Sequence, residues 1–154
     1  MAKRQIFYSF HYANDVFRVQ QIRNMGVLDG NPPASVNEWE EVVRSGDTEI
    51  KRWIDNSMNY RSCVVVLVGS ETSNRKWVKY EIEKAWNERK GLLGIYIHNL
   101  KCPKNGTSIK GSNPFELISL TRGKGIKCHN PKAWDAYNDI RNNIEQWIED
   151  AINQ

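Results

Sequence analysis

The residues that stand out first as candidates for chemistry are a tryptophan and a glutamate four positions apart, Trp77 and Glu81. Residues at i and i+4 project from one face of a helix, so an indole and a carboxylate would stand side by side. Such a pair can stack on a planar ring while the carboxylate meets a sugar hydroxyl or a developing cation. The spacing is equally typical of an amphipathic helix with a rim tryptophan and a solvated glutamate, and the pentapeptide alone favours this ordinary interpretation.

Two histidines, His11 and His98, follow predicted strands, where a ligand or an acid–base group would stand. For His11, a functional role and a loop position without one are both open. For His98, a loop position without a functional role is favoured. A zinc site is conceivable, but the spacings match no common zinc module, and we expect no metal. Its candidate ligands would be His98, Cys102, Cys128 and His129.

Several phosphate-binding and catalytic motifs are absent from the sequence. Neither GxGxxG nor GxxxxGK[ST] occurs, which argues against Rossmann-type dinucleotide binding and P-loop chemistry. A response-regulator receiver would need an acidic pair where Ser9–His11 stands and an aspartate where Gly69 stands. No nucleophile elbow of a serine hydrolase is present.

The elements that must position these residues alternate between short apolar runs and amphipathic segments, which predicts an α/β layered domain. The run Cys63–Val68 is apolar throughout, as a central parallel strand covered on both faces should be. The other predicted strands are 6–10, weakly 27–28, 92–97 and 125–128. Helices are predicted from Asp15, with Asn14 as cap after a turn at 11–13, from Asp47, over 75–89 and from Pro131, with a possible short helix within 35–44.

This order predicts a flavodoxin-like, doubly wound fold over 1–154, a single domain with a mainly parallel five-stranded sheet and helices on both faces. Ligands bind such sheets at the carboxyl ends of the strands, an edge that would display Ser9, His11 and His98. Four tryptophans fall on predicted core stripes, whereas Trp39 and Trp77 are predicted to face a ligand. The four are Trp53, Trp86, Trp134 and Trp147.

The composition bounds the class of protein. The chain has 154 residues, 40% hydrophobic and 26% charged, which argues against a disordered, fibrous or multidomain protein. Its longest apolar run is far shorter than a membrane span, and the first residues lack the apolar stretch of a secretory signal. Three cysteines without CxxC spacing indicate a reducing compartment, and we expect a cytoplasmic protein.

The net charge of +4 is concentrated in Lys101–Lys127, which holds six basic residues and one acidic residue. The segment could be a nucleic-acid footprint, a phosphate-binding rim or a solvated loop. The solvated loop is favoured, because no aromatic residues interleave with the lysines as a single-strand platform requires. We therefore expect no nucleic-acid partner.

Several of these segments together resemble the TIR domains. Ile6–His11 followed by Asn14 and Asp15 resembles their first box, and Trp77-x-x-x-Glu81 resembles the helix that carries the catalytic glutamate of NAD-consuming members. Gly94–Asn99 with Gly111–Phe115 is similar to the TIR-like proteins of bacterial Thoeris anti-phage systems. The resemblance covers nearly the whole chain, and it is weakest between 29 and 46.

This resemblance implies an enzyme that cleaves the nicotinamide–ribose bond of NAD, its substrate rather than a cofactor. In the Thoeris relatives the product is a cyclic ADP-ribose isomer that activates a partner effector, after a phage-derived trigger switches on the dormant enzyme. Completion of the site by a second copy of the chain is also implied. Glu81 would be the catalytic residue, and the substrate-binding residues would be Ser9, Phe10, His11, Trp39 and Trp77.

Three alternatives stay open at this point. A basic rim such as Lys101, Lys104 or Lys110 could meet the pyrophosphate of NAD. Hydrolysis could replace cyclisation, because the outcome depends on water exclusion and on the pose of the substrate. A catalytically inert TIR-like module that signals by assembly alone is the competing class of function.

Overall fold

A computed structural model describes residues 4–26, 28–30, 41–102, 106–116 and 125–153, with only the backbone described at 12–14 and 29–30. Within these ranges five strands form one sheet. They are β1 (Gln5–Ser9), β2 (Asp29–Gly30), β3 (Cys63–Val68), β4 (Gly91–Tyr96) and β5 (Cys128–His129). The helices are α1 (Tyr12–Arg23), α2 (Asp47–Met58), α3 (Lys76–Asn87) and α4 (Ala136–Ile152), with a 3-10 turn at Thr72–Asn74. Residues 41–44 are also helical.

The strands are arranged in the order β2-β1-β3-β4-β5, and every pair of neighbours is parallel. This order confirms the predicted flavodoxin-like topology. Because all five strands point the same way, the segments that follow β1, β3 and β4 meet at one edge of the sheet. Ser9 pairs with Val66, and Val66 pairs with Gly94, so these three strands are in step near that edge.

The core consists of two apolar layers, one on each face of the sheet. All six residues of β3 are buried, which confirms it as the central strand. One layer joins alternate strand residues to α1 and α4, through side chains such as Val19 and Ile144. The other joins the remaining strand residues to α2 and α3, through side chains such as Ile54 and Ile82. None of the described helices is both long and apolar enough to cross a membrane.

The predicted turn at residues 11–13 and the predicted cap at Asn14 are wrong. Strand β1 ends at Ser9, and α1 begins at Tyr12 with His11 as its N-cap residue. The His11 carbonyl accepts the Asp15 N–H at 3.0 Å, which closes the first helical turn three residues before the predicted start.

The two outer strands were each predicted too early in the chain. Strand β2 is Asp29–Gly30, paired with Gln5 and Ile6, whereas Leu28 packs against the layer of α1 and α4. Strand β5 is Cys128–His129, because the Gly94 N–H bonds to the Lys127 carbonyl and sets the pairing one residue later. Among the described residues these strands pair through two residues each, which is too short a run for an apolar pattern to locate.

The last helix begins at Ala136 rather than at Pro131, so the predicted stripe is wrong at its first turn. A turn precedes the helix, in which the Asp135 N–H bonds to the Lys132 carbonyl. Trp134 lies in this turn and is 82% exposed, so its prediction as a core residue is wrong. Tyr137 is 38% exposed, and the buried stripe consists of Ala136, Ile140, Ile144 and Ile148.

The contrast between Trp134 and Ile140 gives a direct test of this core. Ile140→Ala should lower the free energy of unfolding by about 2–5 kcal/mol, because the side chain is fully buried and a cavity would remain. Trp134→Ala should change it by less than about 0.5 kcal/mol, since the indole is in solvent. Urea unfolding of both variants measures the difference, and equal losses would contradict the assignment.

Candidate functional site

The centre of the candidate site is a hydrogen bond between two buried side chains, Ser9 and Glu81. The Ser9 hydroxyl donates to Glu81 Oε1 at 2.9 Å. Ser9 is fully buried at the end of β1, and Glu81 is 7% exposed in the second turn of α3. The hydrogen bond joins the carboxyl edge of the sheet to the helix that covers it.

Glu81 is buried because it lies on the core face of its helix. Val78 and Ala85, three residues before it and four after, are buried on the same face of α3. Burial raises the pKa of Glu81 to about 8, although the hydrogen bond from Ser9 opposes the rise. The interpretation of this residue as a solvated glutamate on an amphipathic helix is therefore wrong.

Phe10 and His11 follow Ser9 at the same edge of the sheet. Phe10 is half-buried against the layer formed with α1 and α4. His11 Nδ1 lies 3.9 Å from Glu71 Oε2, and the same oxygen lies 3.7 Å from the Arg75 guanidinium. Burial, then the charge of Arg75, lowers the pKa of His11, so its imidazole is neutral at pH 7.

Trp77 lies in the first turn of α3, half-buried against the layer formed with α2 and α3. Its ring meets the Tyr80 ring edge-on at 5.8 Å between centroids, and the Lys76 ammonium lies 4.8 Å from its centroid. The indole thus has a packing role that the spacing did not predict. Trp39, the other predicted ligand-facing tryptophan, lies outside the described residues.

A second buried charged pair lies close by, and sequence reasoning missed it. The Arg18 guanidinium lies 3.3 Å from Asp15 Oδ1, and both side chains are almost completely buried. Burial raises the pKa of Asp15 to about 6, against the opposing charge of Arg18. A Cβ atom on Gly69 would lie 2.1 Å from Asp15 Oδ2, so glycine is required where the carboxyl group meets the end of β3. The spacing of Asp15 with Val19 and Ile22 carried this signal, because positions i, i+4 and i+7 share a face.

Among the described residues, no group of three or more histidine, cysteine and acidic side chains is placed to hold a metal ion. His129 instead stacks on Trp147 at 4.3 Å between ring centroids. Cys63, Cys102 and Cys128 are free thiols, and Cys63 is buried in β3 as predicted.

Two comparisons with known proteins found similar sequences. The family described as "Thoeris protein ThsB, TIR-like domain" matches residues 7–102. A protein of Bacillus cereus (strain MSX-D12), named "Putative cyclic ADP-D-ribose synthase ThsB1", is 35% identical over 150 residues. The match spans 91% of this chain and 78% of the length of that protein.

The buried carboxyl group gives a prediction about stability. Glu81 keeps its proton up to about pH 8 when folded but loses it near its ordinary pKa of 4.5 when unfolded. The folded state therefore binds more protons between those values, and the free energy of unfolding should fall by up to roughly 1.4 kcal/mol per pH unit there. Glu81→Gln, which mimics the protonated form, should remove this fall.

Urea unfolding between pH 4 and pH 9 measures the effect. Glu83→Gln is the matched control, because Glu83 is an exposed residue of the same helix. A pH dependence that is the same in wild type and in Glu81→Gln would show that Glu81 is ionised in the folded protein.

Proposed function

The chain belongs to the TIR-like domain family of the Thoeris protein ThsB, and we propose that it cleaves the nicotinamide–ribose bond of NAD and makes a cyclic ADP-ribose isomer. The observation that carries the proposal is the buried carboxyl group of Glu81, fixed by Ser9 at the carboxyl edge of the sheet. The function of the B. cereus relative, as its name states it, supports the same conclusion.

Cleavage of the nicotinamide–ribose bond requires little more than a negative charge positioned beside the ribose. Nicotinamide leaves with the electron pair of the C–N bond, so the positive charge passes from the pyridinium ring to the ribose, and no strong general acid is required. The ribose then resembles an oxocarbenium ion, as in glycoside cleavage. An ionised Glu81 beside the ribose would stabilise that cation, and its effect would be strong because the residue is shielded from water.

Ionisation of Glu81 is coupled to binding of the substrate. Without substrate, burial holds the pKa of Glu81 near 8, so most of the protein carries a neutral carboxylic acid at pH 7. The pyridinium charge of NAD would favour the carboxylate and lower this pKa. The Ser9 hydroxyl also favours the carboxylate, because it donates to Oε1.

The neighbouring residues of this edge would shape the pocket. Phe10 and His11 would line the nicotinamide ribose, and the neutral imidazole of His11 would not repel the pyridinium cation. Trp77, and Trp39 outside the described residues, would hold the adenosine end folded back for cyclisation. Access of water to the same cation would give linear ADP-ribose instead.

The wider role follows from the family. The cyclic nucleotide would diffuse to an effector protein of the same defence system, and a phage-derived trigger would switch on the dormant enzyme. Assembly with further copies of the chain would accompany activation, in a cytoplasmic setting that suits three free thiols.

Glu81→Gln should reduce cleavage of NAD by at least about 100-fold, because it removes the charge that meets the ribose cation. Cells expressing wild type, Glu81→Gln or the control Glu83→Gln would be compared with and without phage, and nicotinamide and ADP-ribose isomers measured by mass spectrometry. Phage protection that persists in Glu81→Gln without any NAD product would favour an inert module that signals by assembly.

The pH dependence of cleavage should also report the ionisation of Glu81. The value of kcat/KM should rise with pH and reach half its maximum near pH 8, because it follows the pKa of the protein without substrate. Ser9→Ala should move the midpoint to higher pH, since it removes a donor that favours the carboxylate. In protein activated by the trigger, detectable cleavage with a flat profile from pH 6 to pH 9 would contradict this role.

A further inference from the structure

The segment that follows β4 folds back over the same edge of the sheet and gathers three hydrogen-bonding side chains, His98, Ser108 and Lys110. The Ser108 N–H donates to the His98 carbonyl at 2.8 Å, which sets these two residues side by side. The Lys110 ammonium lies 4.5 Å from the centroid of the Tyr96 ring, and that ring meets the His98 ring edge-on at 6.1 Å. We call these three residues the His98 cluster.

The fold-back is held by a buried guanidinium. Arg18 donates from Nε to the Leu100 carbonyl at 2.9 Å and from a terminal nitrogen to the Gly106 carbonyl at 3.0 Å. Cys102 and Gly106 also exchange two backbone hydrogen bonds of 2.8 Å. Hydrogen bonds from a charged donor are stronger than those from a neutral donor. Arg18 therefore holds the segment that carries the cluster in a fixed position.

Two polar atoms of the cluster are buried with no hydrogen-bond partner among the described residues, His98 Nδ1 and Ser108 Oγ. His98 as a whole is only 9% exposed. Buried polar groups in proteins are almost always hydrogen-bonded. Two neighbouring exceptions indicate a place where a polar ligand supplies the partner.

The surroundings of the cluster favour an anion. Burial lowers the pKa of His98, and the positive charges of Lys110 and Arg18 lower it further. A hydroxyl, a neutral imidazole and an ammonium can all donate to one group with several acceptor oxygens, and phosphate is such a group.

The cluster is also placed near the proposed catalytic pair. Gly111, the residue after Lys110, packs closely against Gly69, which follows β3. A Cβ atom added to Gly111 would lie 2.0 Å from the Gly69 carbonyl oxygen. Strand β3 lies between β1, which ends at Ser9, and β4, which leads to His98. Neighbouring strands are about 4.8 Å apart, so β1 and β4 are separated by two strand spacings across the sheet.

We propose that His98, Ser108 and Lys110 form a phosphate-binding subsite that takes the diphosphate of NAD while the nicotinamide ribose lies at Glu81. The identity of the dinucleotide rests on the proposed function, whereas the phosphate chemistry rests on the cluster itself. The subsite fixes the middle of the substrate, and it leaves the two nucleoside ends to other residues.

The test compares Lys110→Met with the matched control Lys132→Met, because Lys132 is an exposed lysine outside the cluster. Calorimetry would measure binding of ADP-ribose, of nicotinamide riboside, which lacks phosphate, and of inorganic phosphate. Lys110→Met should weaken ADP-ribose binding about tenfold or more, as loss of a charged hydrogen bond does, and leave nicotinamide riboside unchanged. Lys132→Met should change neither.

A second readout reports on His98 directly. The protein has three histidines, so the ring resonances of His98 can be assigned in NMR spectra with a His98→Gln variant. They should shift when ADP-ribose is added to wild type and stay in place with nicotinamide riboside. Ser108→Ala should weaken ADP-ribose binding in the same direction as Lys110→Met, with an unchanged melting temperature.

The outcomes separate this proposal from the catalytic one. Equal ADP-ribose affinity in wild type and Lys110→Met, or no ADP-ribose binding to wild type, would overturn the subsite. Inorganic phosphate that shifts His98 while ADP-ribose does not would assign the cluster to another phosphate compound and also overturn it. Weakened binding in Lys110→Met, together with undiminished NAD cleavage in Glu81→Gln, would leave the subsite standing and remove the proposed catalytic role.

Discussion

The removal of one carboxyl group from water is the constraint on which the rest of this edge depends. Glu81 lies on the same face of α3 as the buried residues Val78 and Ala85. Its side chain is therefore placed against the sheet rather than in solvent. A lone buried carboxylate is costly, so the group needs either a proton or a fixed donor. Both are present here: the raised pKa of Glu81 keeps a proton on the carboxyl group, and the Ser9 hydroxyl donates a hydrogen bond to it.

The parallel sheet makes this arrangement possible. The central strand β3, with six buried residues, pairs in a fixed register with β1 and β4. Helix α3 packs on one face of these strands. The carboxyl edge gathers residues that are far apart in the chain: Ser9 and Glu81 are separated by 72 positions. The same edge receives the segment after β4, which Arg18 anchors from the opposite layer. Polar contacts across the edge thus depend on apolar packing beneath it.

The sequence predicted most reliably the strands and helices whose apolar residues recur at a regular spacing. The run Cys63–Val68 and the helix around Ile82 were evident, because a buried strand and an amphipathic helix leave clear patterns. Strands β2 and β5 were misplaced, since two paired residues leave no pattern, and Trp134 was misjudged because its helix starts after it. The resemblance singled out Glu81 as a candidate, whereas its contact with Ser9 joins residues 72 positions apart, and periodicity does not encode such a contact.

The brevity of the two outer strands has a consequence for self-association. A long exposed edge strand offers a row of unpaired backbone groups to any similar chain, and it is a common route to aggregation. Here the described edge strands, β2 and β5, pair through two residues each, so the ladder that another strand could extend is short on both sides. Growth of the sheet from chain to chain would gain few backbone hydrogen bonds. Contacts between copies at these described edges would therefore depend mainly on side chains.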